Sequence, residues 1–198
     1  MRQVLTFKSY STMTRFDNIE VYSFEDDVWY RTPDNKHLKL TEADRDFVSH
    51  IIRKIQEFYP KAYERLNHIY SRCSSNLPYY QYKIVWRFCK CNFGNIDNIN
   101  DLSCYGRMNF EHVACPLRGE CSSEGVICHP EFNSKISDAE MRVLKMVYDG
   151  FSNDEISDML CLSVHTVKNH IRNAYNRIGI HEKAEFIKYA KDNKLWQE

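Results

Sequence analysis

The sequence predicts an α+β protein that begins with a mixed domain, continues through a cysteine-rich metal segment and ends in an all-α domain of four helices. Three observations support this prediction: alternating stretches near residues 19–30, six cysteines between Cys89 and Cys128, and two helix-capping patterns after residue 136. We assign the mixed domain to residues 1–88, the cysteine-rich segment to 89–130 and the four-helix domain to 136–198.

The first zone is predicted to contain a hairpin, two helices and a strand. Short alternating stretches around residues 19–22 and 28–30, broken at residues 32–35, are typical of a β-hairpin or two short strands. Thr41 is predicted to begin a helix with one apolar face, and Pro60 to kink or restart it. Aromatic residues alternate along residues 80–88, which predicts a strand. We interpret the many aromatic side chains as core rather than as a ligand-binding box.

Charge and motif content exclude several classes of protein. Twenty-seven Lys and Arg residues balance twenty-seven Asp and Glu residues, so neither a histone-like protein nor an acidic disordered tail is expected. The sequence has no GxGxxG, GxxxxGK[ST], HExxH or GxSxG motif, so we do not expect an enzyme. It also has neither an apolar run of roughly 20 residues nor a signal-peptide core, which predicts a cytoplasmic protein with no membrane partner.

Four helices are predicted after residue 136. Residues 137–140 and 152–155 both read as capping boxes, in which a hydroxyl and a carboxylate bind free N–H groups at a helix start. Gly150 is suited to end the first helix, and Ser163 to cap a third helix that runs to about Ile178. A fourth helix is predicted over about residues 182–192.

The third of these helices has two different faces. Its inward face is predicted to be apolar, and its outward face is polar and has no carboxylate. The 23 residues from Met159 to His181 contain no Asp or Glu, which favours contact with phosphates. The predicted inward residues are Val164, Val167, Ile171, Ala174 and Ile178, and the predicted outward residues are His165, Lys168, Asn169, Arg172 and Asn176.

This region resembles the LuxR/GerE-type helix-turn-helix. That family reads G-x-S-N-K-E-I-A, L-x-I-S, T-V-K-x-H and K-L-G-V in order, and residues 150–156, 160–163, 166–170 and 177–180 follow the same pattern. The match spans about residues 136–194. The sequence resembles this family more closely than it resembles the related region 4 of sigma factors. Two positions depart from the family: Ala139 replaces an Arg, which removes a backbone contact or buried pair, and Asp154 replaces a Lys, which weakens phosphate contact there.

The resemblance implies that the third helix lies in the major groove of double-stranded DNA. Base contacts are then expected from Lys168, Asn169 and Arg172, because Lys and Arg suit guanine and Asn suits adenine. The fourth helix either forms a homodimer contact, as in the family, or packs on its own domain. Phosphate contacts are expected near helix N-termini, from Ser152, Asn153, Ser163, Thr166 and Lys183.

The clustered cysteines predict a metal site, because cytosolic thiols rarely form structural disulfides. We predict zinc as the cofactor; an iron–sulfur cluster and unliganded reduced thiols remain as alternatives. Cys89 and Cys91 are expected on one side of the predicted strand, and Cys73 and Cys161 are interpreted as small buried residues. The predicted ligands are Cys91, Cys115, Cys121 and Cys128, with Cys89 and Cys104 in reserve and His112 and His129 nearby.

Taken together, these features predict a sequence-specific DNA-binding transcriptional regulator with a metal-stabilised N-terminal module. One alternative is a protein-binding adaptor, or a factor resembling sigma region 4, that acts on RNA polymerase. Another is a regulator whose cysteine-rich segment senses redox state through its thiols or metal.

Overall fold

The structure, a computed structural model, describes residues 16, 18–97, 99–102 and 108–196. Two compact units divide the chain, one formed by Met13–Asn133 and the other containing Ser134–Glu198. Among the described residues, no helix has the length and apolar character that crossing a membrane requires. The elements are β1 (Glu20–Phe24), β2 (Asp27–Arg31), β3 (His37–Lys39), α1 (Arg45–Phe58), α2 (Pro60–Tyr70), a 3-10 turn (Ser71–Cys73), α3 (Leu77–Asn92), α4 (Asp138–Tyr148), α5 (Asn153–Leu160), α6 (Val164–Ile178) and α7 (Lys183–Asp192).

The predicted hairpin is confirmed and extended by a third strand. β1, β2 and β3 form an antiparallel sheet in that order, with Tyr22 opposite Trp29 and Tyr30 opposite Leu38. Glu25 and Asp26 connect β1 to β2 with positive φ angles of 47° and 65°, as a tight two-residue hairpin turn requires. The mixture of sheet and helices confirms the α+β class.

Aromatic side chains pack the core of the N-terminal unit. The rings of Tyr30 and Phe47 stack with centroids 4.2 Å apart. Tyr59 is 1% exposed, its ring packs against Phe88, and its hydroxyl accepts a hydrogen bond from the Met108 N–H at 2.8 Å. These contacts support the interpretation of the aromatic residues as core.

The predicted helix starts later than expected. Thr41 does not begin α1; its N–H and hydroxyl donate to the Asp44 carboxylate at 2.7 and 2.8 Å, and α1 begins at Arg45. Pro60 restarts the chain as predicted, because it occupies the first turn of α2, where a free N–H is not needed.

The predicted strand over residues 80–88 is wrong, because the structure has helix α3 there. Pro78 lies in its first turn, and the Asn76 side chain accepts a hydrogen bond from the Tyr79 N–H at 3.4 Å. The buried residues of α3 recur at helical spacing and face α1 and α2. They are Ile84, Val85, Phe88, Cys89 and Asn92.

A long irregular segment follows α3 in the N-terminal unit. The described residues between Phe93 and Asn133 form no helix, and their only β-structure is two isolated bridges centred on Leu102. Few apolar side chains of this segment are buried; Phe93, Leu102, Met108 and Ile127 are among them.

All four predicted helices of the C-terminal unit are present. Both capping boxes form, at Ser137 with Glu140 and at Ser152 with Glu155. Gly179 ends α6 with a φ of 72°, a left-handed conformation that suits glycine. The order and the ends of α4–α7 follow the sequence prediction within one or two residues.

Candidate functional site

The outward face of α6 is the centre of the candidate site. Ser163 caps this helix, because its hydroxyl oxygen accepts a hydrogen bond from the Thr166 N–H at 3.0 Å. Asn169 is half-buried, and the other residues of the predicted outward face are exposed, namely His165, Lys168, Arg172 and Asn176. Since α6 contains no carboxylate, these side chains form a surface of hydrogen-bond donors and positive charge.

The inward face of α6 agrees with the prediction in part. Val167, Ala174 and Ile178 are buried, whereas Val164 and Ile171 are only half-buried. Tyr175 is also buried, which the sequence analysis missed, and its ring packs 5.5 Å from that of Phe186 on α7. Burial raises the pKa of Tyr175 to about 12, so the phenol stays neutral. Its position one residue after Ala174, on the edge of the apolar face, was the signal available in the sequence.

Two predicted base-contacting residues bind each other. The Arg172 Nη2 donates to the Asn169 Oδ1 at 2.9 Å, one turn apart on the same face of α6. This hydrogen bond restricts the orientation of the guanidinium group. The side chains of Lys168 and Arg172 are therefore presented together, with Arg172 supported by Asn169.

A groove of about 300 Å³ runs beside this face. Lys168 and Arg172 line one side, Asn153 lies at the start of α5, and His181 lies just after α6. The groove thus brings a predicted phosphate-contacting residue, Asn153, next to two predicted base-contacting residues.

The N-terminus of α5 carries two of the predicted phosphate-contacting residues, Ser152 and Asn153. The Ser152 hydroxyl and N–H both donate to the Glu155 carboxylate at 2.8 Å, which lowers the pKa of Glu155. Ser152 is exposed and Asn153 half-buried. Ile156 is fully buried, whereas Met159, which the sequence pattern placed on the apolar face, is 59% exposed. α5 contacts both α6 and α4, and its buried residues are Ile156 and Ser157.

Lys183 begins α7 and is exposed. Glu185 caps the start of this helix, because its carboxylate accepts hydrogen bonds from the N–H groups of His181 and Glu182. A positive charge at a helix N-terminus opposes the helix dipole. Stabilisation of the helix therefore does not explain why a lysine occupies position 183.

An ion pair joins α4 to α6. The Glu140 carboxylate, 3% exposed, binds the Arg177 guanidinium as well as the Ser137 hydroxyl and N–H. Burial alone would raise the pKa of Glu140, but the two hydrogen bonds from Ser137 and the charge of Arg177 outweigh it, so the pKa lies below its ordinary value. Ala139, the residue before Glu140, carries no charge, and the partner of Glu140 comes from α6.

The four predicted metal ligands all lie in the N-terminal unit, and Asn92, which follows Cys91, binds the backbone on either side of Cys128. Burial is the main cause that raises the pKa of the Cys91 thiol and that of the Cys128 thiol, and Cys115 raises both further. Cys121 raises the pKa of Cys128. In the part of the chain that the structure describes, however, no three His, Cys, Asp or Glu side chains are arranged to hold a metal ion.

The remaining cysteines lie elsewhere. Cys89 is buried on α3, Cys73 is half-buried and Cys161 is exposed, so the interpretation of Cys161 as buried is wrong. Cys161 ends α5 in a left-handed conformation with φ 52°, which places its side chain in the turn before α6. Cys104 lies outside the described residues. Both His112 and His129 are exposed.

Comparison with known families identifies the C-terminal unit. Residues 134–190 match the family described as bacterial regulatory proteins, luxR family. This match covers α4, α5, α6 and most of α7, which are the elements that position the face described above.

Similar proteins are found among transcriptional regulators. The chain is 29% identical over 97 residues to the HTH-type transcriptional regulator MalT of Yersinia pestis (strain Pestoides F) and to that of Serratia proteamaculans (strain 568). Each match covers 46% of this chain but only 10% of the relative. No solved structure matches the chain.

Proposed function

Starting from the LuxR-family helix-turn-helix domain at residues 134–190, we propose that this protein is a sequence-specific DNA-binding regulator of transcription. The observation that carries the proposal is the outward face of α6, which presents exposed donors and no carboxylate. The similarity to MalT, an HTH-type transcriptional regulator, supports it. The proposal contains no catalytic step and places the protein in the cytoplasm.

α6 would enter the major groove. A helix of 15 residues is about 22 Å long, and the major groove is wide enough to admit it. Lys168 and Arg172 would bind guanine O6 and N7, and the Asn169 amide would bind adenine or keep Arg172 in position. The Asn169 Oδ1 already accepts a hydrogen bond from Arg172, so Asn169 can only partly combine binding adenine with keeping Arg172 in position.

Phosphate contacts would come from the helix N-termini that surround this face. Ser152 and Asn153 lie at the start of α5, Ser163 and Thr166 at the start of α6, and Lys183 at the start of α7. Free N–H groups at a helix start attract anions, and hydroxyl, amide and ammonium donors extend that surface.

The test uses the full chain and a pool of randomised DNA duplexes. Repeated selection followed by sequencing should enrich one motif, and the purified protein should bind that motif at least about 10³-fold more tightly than unrelated DNA at the same salt concentration. Binding to all duplexes alike, or to none, would contradict the proposal. In that case the alternative of an adaptor that contacts RNA polymerase would be favoured, and a binding assay with the polymerase would follow.

The metal-stabilised module belongs to a different unit of the chain. None of the residues proposed to contact DNA lies in Met13–Asn133, so metal binding in that unit does not depend on DNA binding by the other.

A further inference from the structure

We propose that the thiols of Cys91, Cys115, Cys121 and Cys128 bind one zinc ion that stabilises the irregular segment of the N-terminal unit. This site goes beyond DNA recognition and does not depend on it. Four thiolates are a common ligand set for structural zinc, which takes four ligands in a tetrahedron.

The backbone beside Cys128 is fixed to α3 next to Cys91. Asn92 is fully buried, and its Nδ2 donates to the Ile127 carbonyl at 2.8 Å. Its Oδ1 accepts a hydrogen bond from the His129 N–H at 2.7 Å. Because these two bonds lie on either side of Cys128 and Asn92 follows Cys91, the two cysteines are held near each other although they are 37 positions apart in the sequence.

Turns bring the other two cysteines into the same segment. The Arg118 N–H donates to the Cys115 carbonyl at 3.1 Å, and the Cys121 N–H donates to the Leu117 carbonyl at 2.9 Å. These bonds fold residues 115–121 into consecutive turns, so Cys115 and Cys121 lie on one compact loop.

That loop is anchored to α2. The Arg65 guanidinium donates to the hydroxyls of Ser122 and Ser123 at 2.9 and 3.1 Å. Glu124 accepts a hydrogen bond from the Gly119 N–H at 2.6 Å, which ties the loop to itself. The chain that follows the loop is therefore fixed at two places, by Arg65 at Ser122 and Ser123 and by Asn92 at Ile127 and His129.

The helix explains why Cys91, and not Cys89, belongs to the cluster. Two residues on a helix are separated by about 200°, so Cys89 and Cys91 point to different sides of α3. Cys89 is buried, whereas Cys91 is half-buried and precedes Asn92, whose side chain binds the backbone on either side of Cys128. The expectation that both thiols lie on one side depended on the strand prediction and fails with it.

Two arginines accompany the thiols. Arg87 lies about one helical turn before Cys91 on α3, and Arg118 lies in the loop between Cys115 and Cys121. Four thiolates around a divalent ion carry a net charge of −2, by simple addition of charges. Two guanidinium groups beside the cluster would offset it.

The segment also needs a source of stability. Loops longer than about 12–15 residues without secondary structure are uncommon unless something orders them. Here more than that number separates α3 from α4, and few apolar side chains of the segment are buried. Among the described residues no three side chains are arranged to hold a metal ion, so zinc binding would have to draw these four thiols together.

The experiment begins with the full chain purified under reducing, oxygen-free conditions with zinc supplied. Elemental analysis should give about one zinc per chain. Cys121→Ser and Cys128→Ser should lower the zinc content at least fivefold, and Cys161→Ser, in the other unit, should leave it unchanged. Alkylation followed by mass spectrometry should find these four thiols protected with zinc and modified after a chelator.

Two further measurements guard against variants that simply fail to fold. Chelation of the unaltered protein should lower its melting temperature, and added zinc should restore it. Cys115→His, which keeps a zinc ligand at that position, should retain more metal than Cys115→Ser. Iron with visible absorption would overturn the zinc assignment. Metal-free protein with all thiols equally reactive, or with a Cys91–Cys128 disulfide, would overturn the site itself, and neither result bears on DNA binding.

Discussion

Arg177, near the end of α6, pairs with the buried carboxylate of Glu140 in the first turn of α4. The same carboxylate completes the capping box with Ser137. One acidic group therefore fixes both the start of α4 and the position of α6 relative to it. The proposed DNA-binding face depends on this pair indirectly, because Arg177 is not one of the outward residues His165, Lys168, Asn169, Arg172 and Asn176.

Arg177→Met should destabilise the C-terminal unit by about 1–2 kcal/mol. It removes a charged hydrogen bond to a buried group, and the half-exposed position of Arg177 limits the loss. Urea unfolding followed by circular dichroism measures this change. Arg142→Met, which alters an exposed residue of α4, serves as the control and should change the free energy of unfolding by less than about 0.5 kcal/mol. Equal stability of the two variants would mean that the ion pair contributes nothing.

The stability contributed by Glu140 should depend on pH. Its pKa in the folded protein lies below the ordinary value of 4.5, so its contribution is present above that value and is lost as the pH falls through the folded pKa. The unaltered protein should therefore be more stable than Glu140→Gln at about pH 7, and the difference should shrink towards about pH 4. A difference that stays constant, or grows on acidification, would show that ionisation of Glu140 does not stabilise the fold.

Local patterns in the sequence were sufficient to predict the C-terminal unit. Each capping box lies within four consecutive residues, and the apolar spacing of α6 is read along one helix. The N-terminal unit shows the limit of such reasoning. Aromatic residues alternate over 80–88, but long-range packing against α1 and α2 selects a helix there.

The cysteine cluster illustrates the same limit. The sequence indicated which cysteines belong together through their clustering, but not what brings them together. Asn92 and Arg65 hold the segment from 35 to 58 residues away, and the cysteine pattern gave no signal for either. Partners of this kind are set by the tertiary fold, which a single sequence does not reveal.

Asn169 and Arg172 should act as a unit in DNA binding. Each single replacement by Ala should cost about 1–3 kcal/mol for the selected site. Because the Arg172 guanidinium is held by Asn169, the double variant should lose less than the sum of the two single losses, by at least about 0.5 kcal/mol. Fluorescence anisotropy on all four proteins gives this cycle. Strict additivity would mean that the two side chains contact DNA independently.

The replacement Lys183→Ala should weaken DNA binding without lowering the stability of the fold. Since its charge opposes the dipole of α7, the replacement should leave the melting temperature unchanged or slightly higher. Binding should weaken by a similar factor on all duplexes, and the slope of log K against log salt should fall by about one unit. An unchanged salt slope would remove Lys183 from the set of phosphate contacts.

The replacement Arg172→Ala is the most direct test of whether the outward face of α6 reads DNA bases. Its binding to the selected duplex and to single-base variants of that duplex should be compared with that of Lys191→Ala, which removes the same charge from the last turn of α7. The account predicts that Arg172→Ala lowers affinity for the selected site at least about tenfold and abolishes preference at one base position, while Lys191→Ala preserves the preference at every position. If Arg172→Ala leaves both affinity and base preference unchanged, the outward face of α6 does not read DNA.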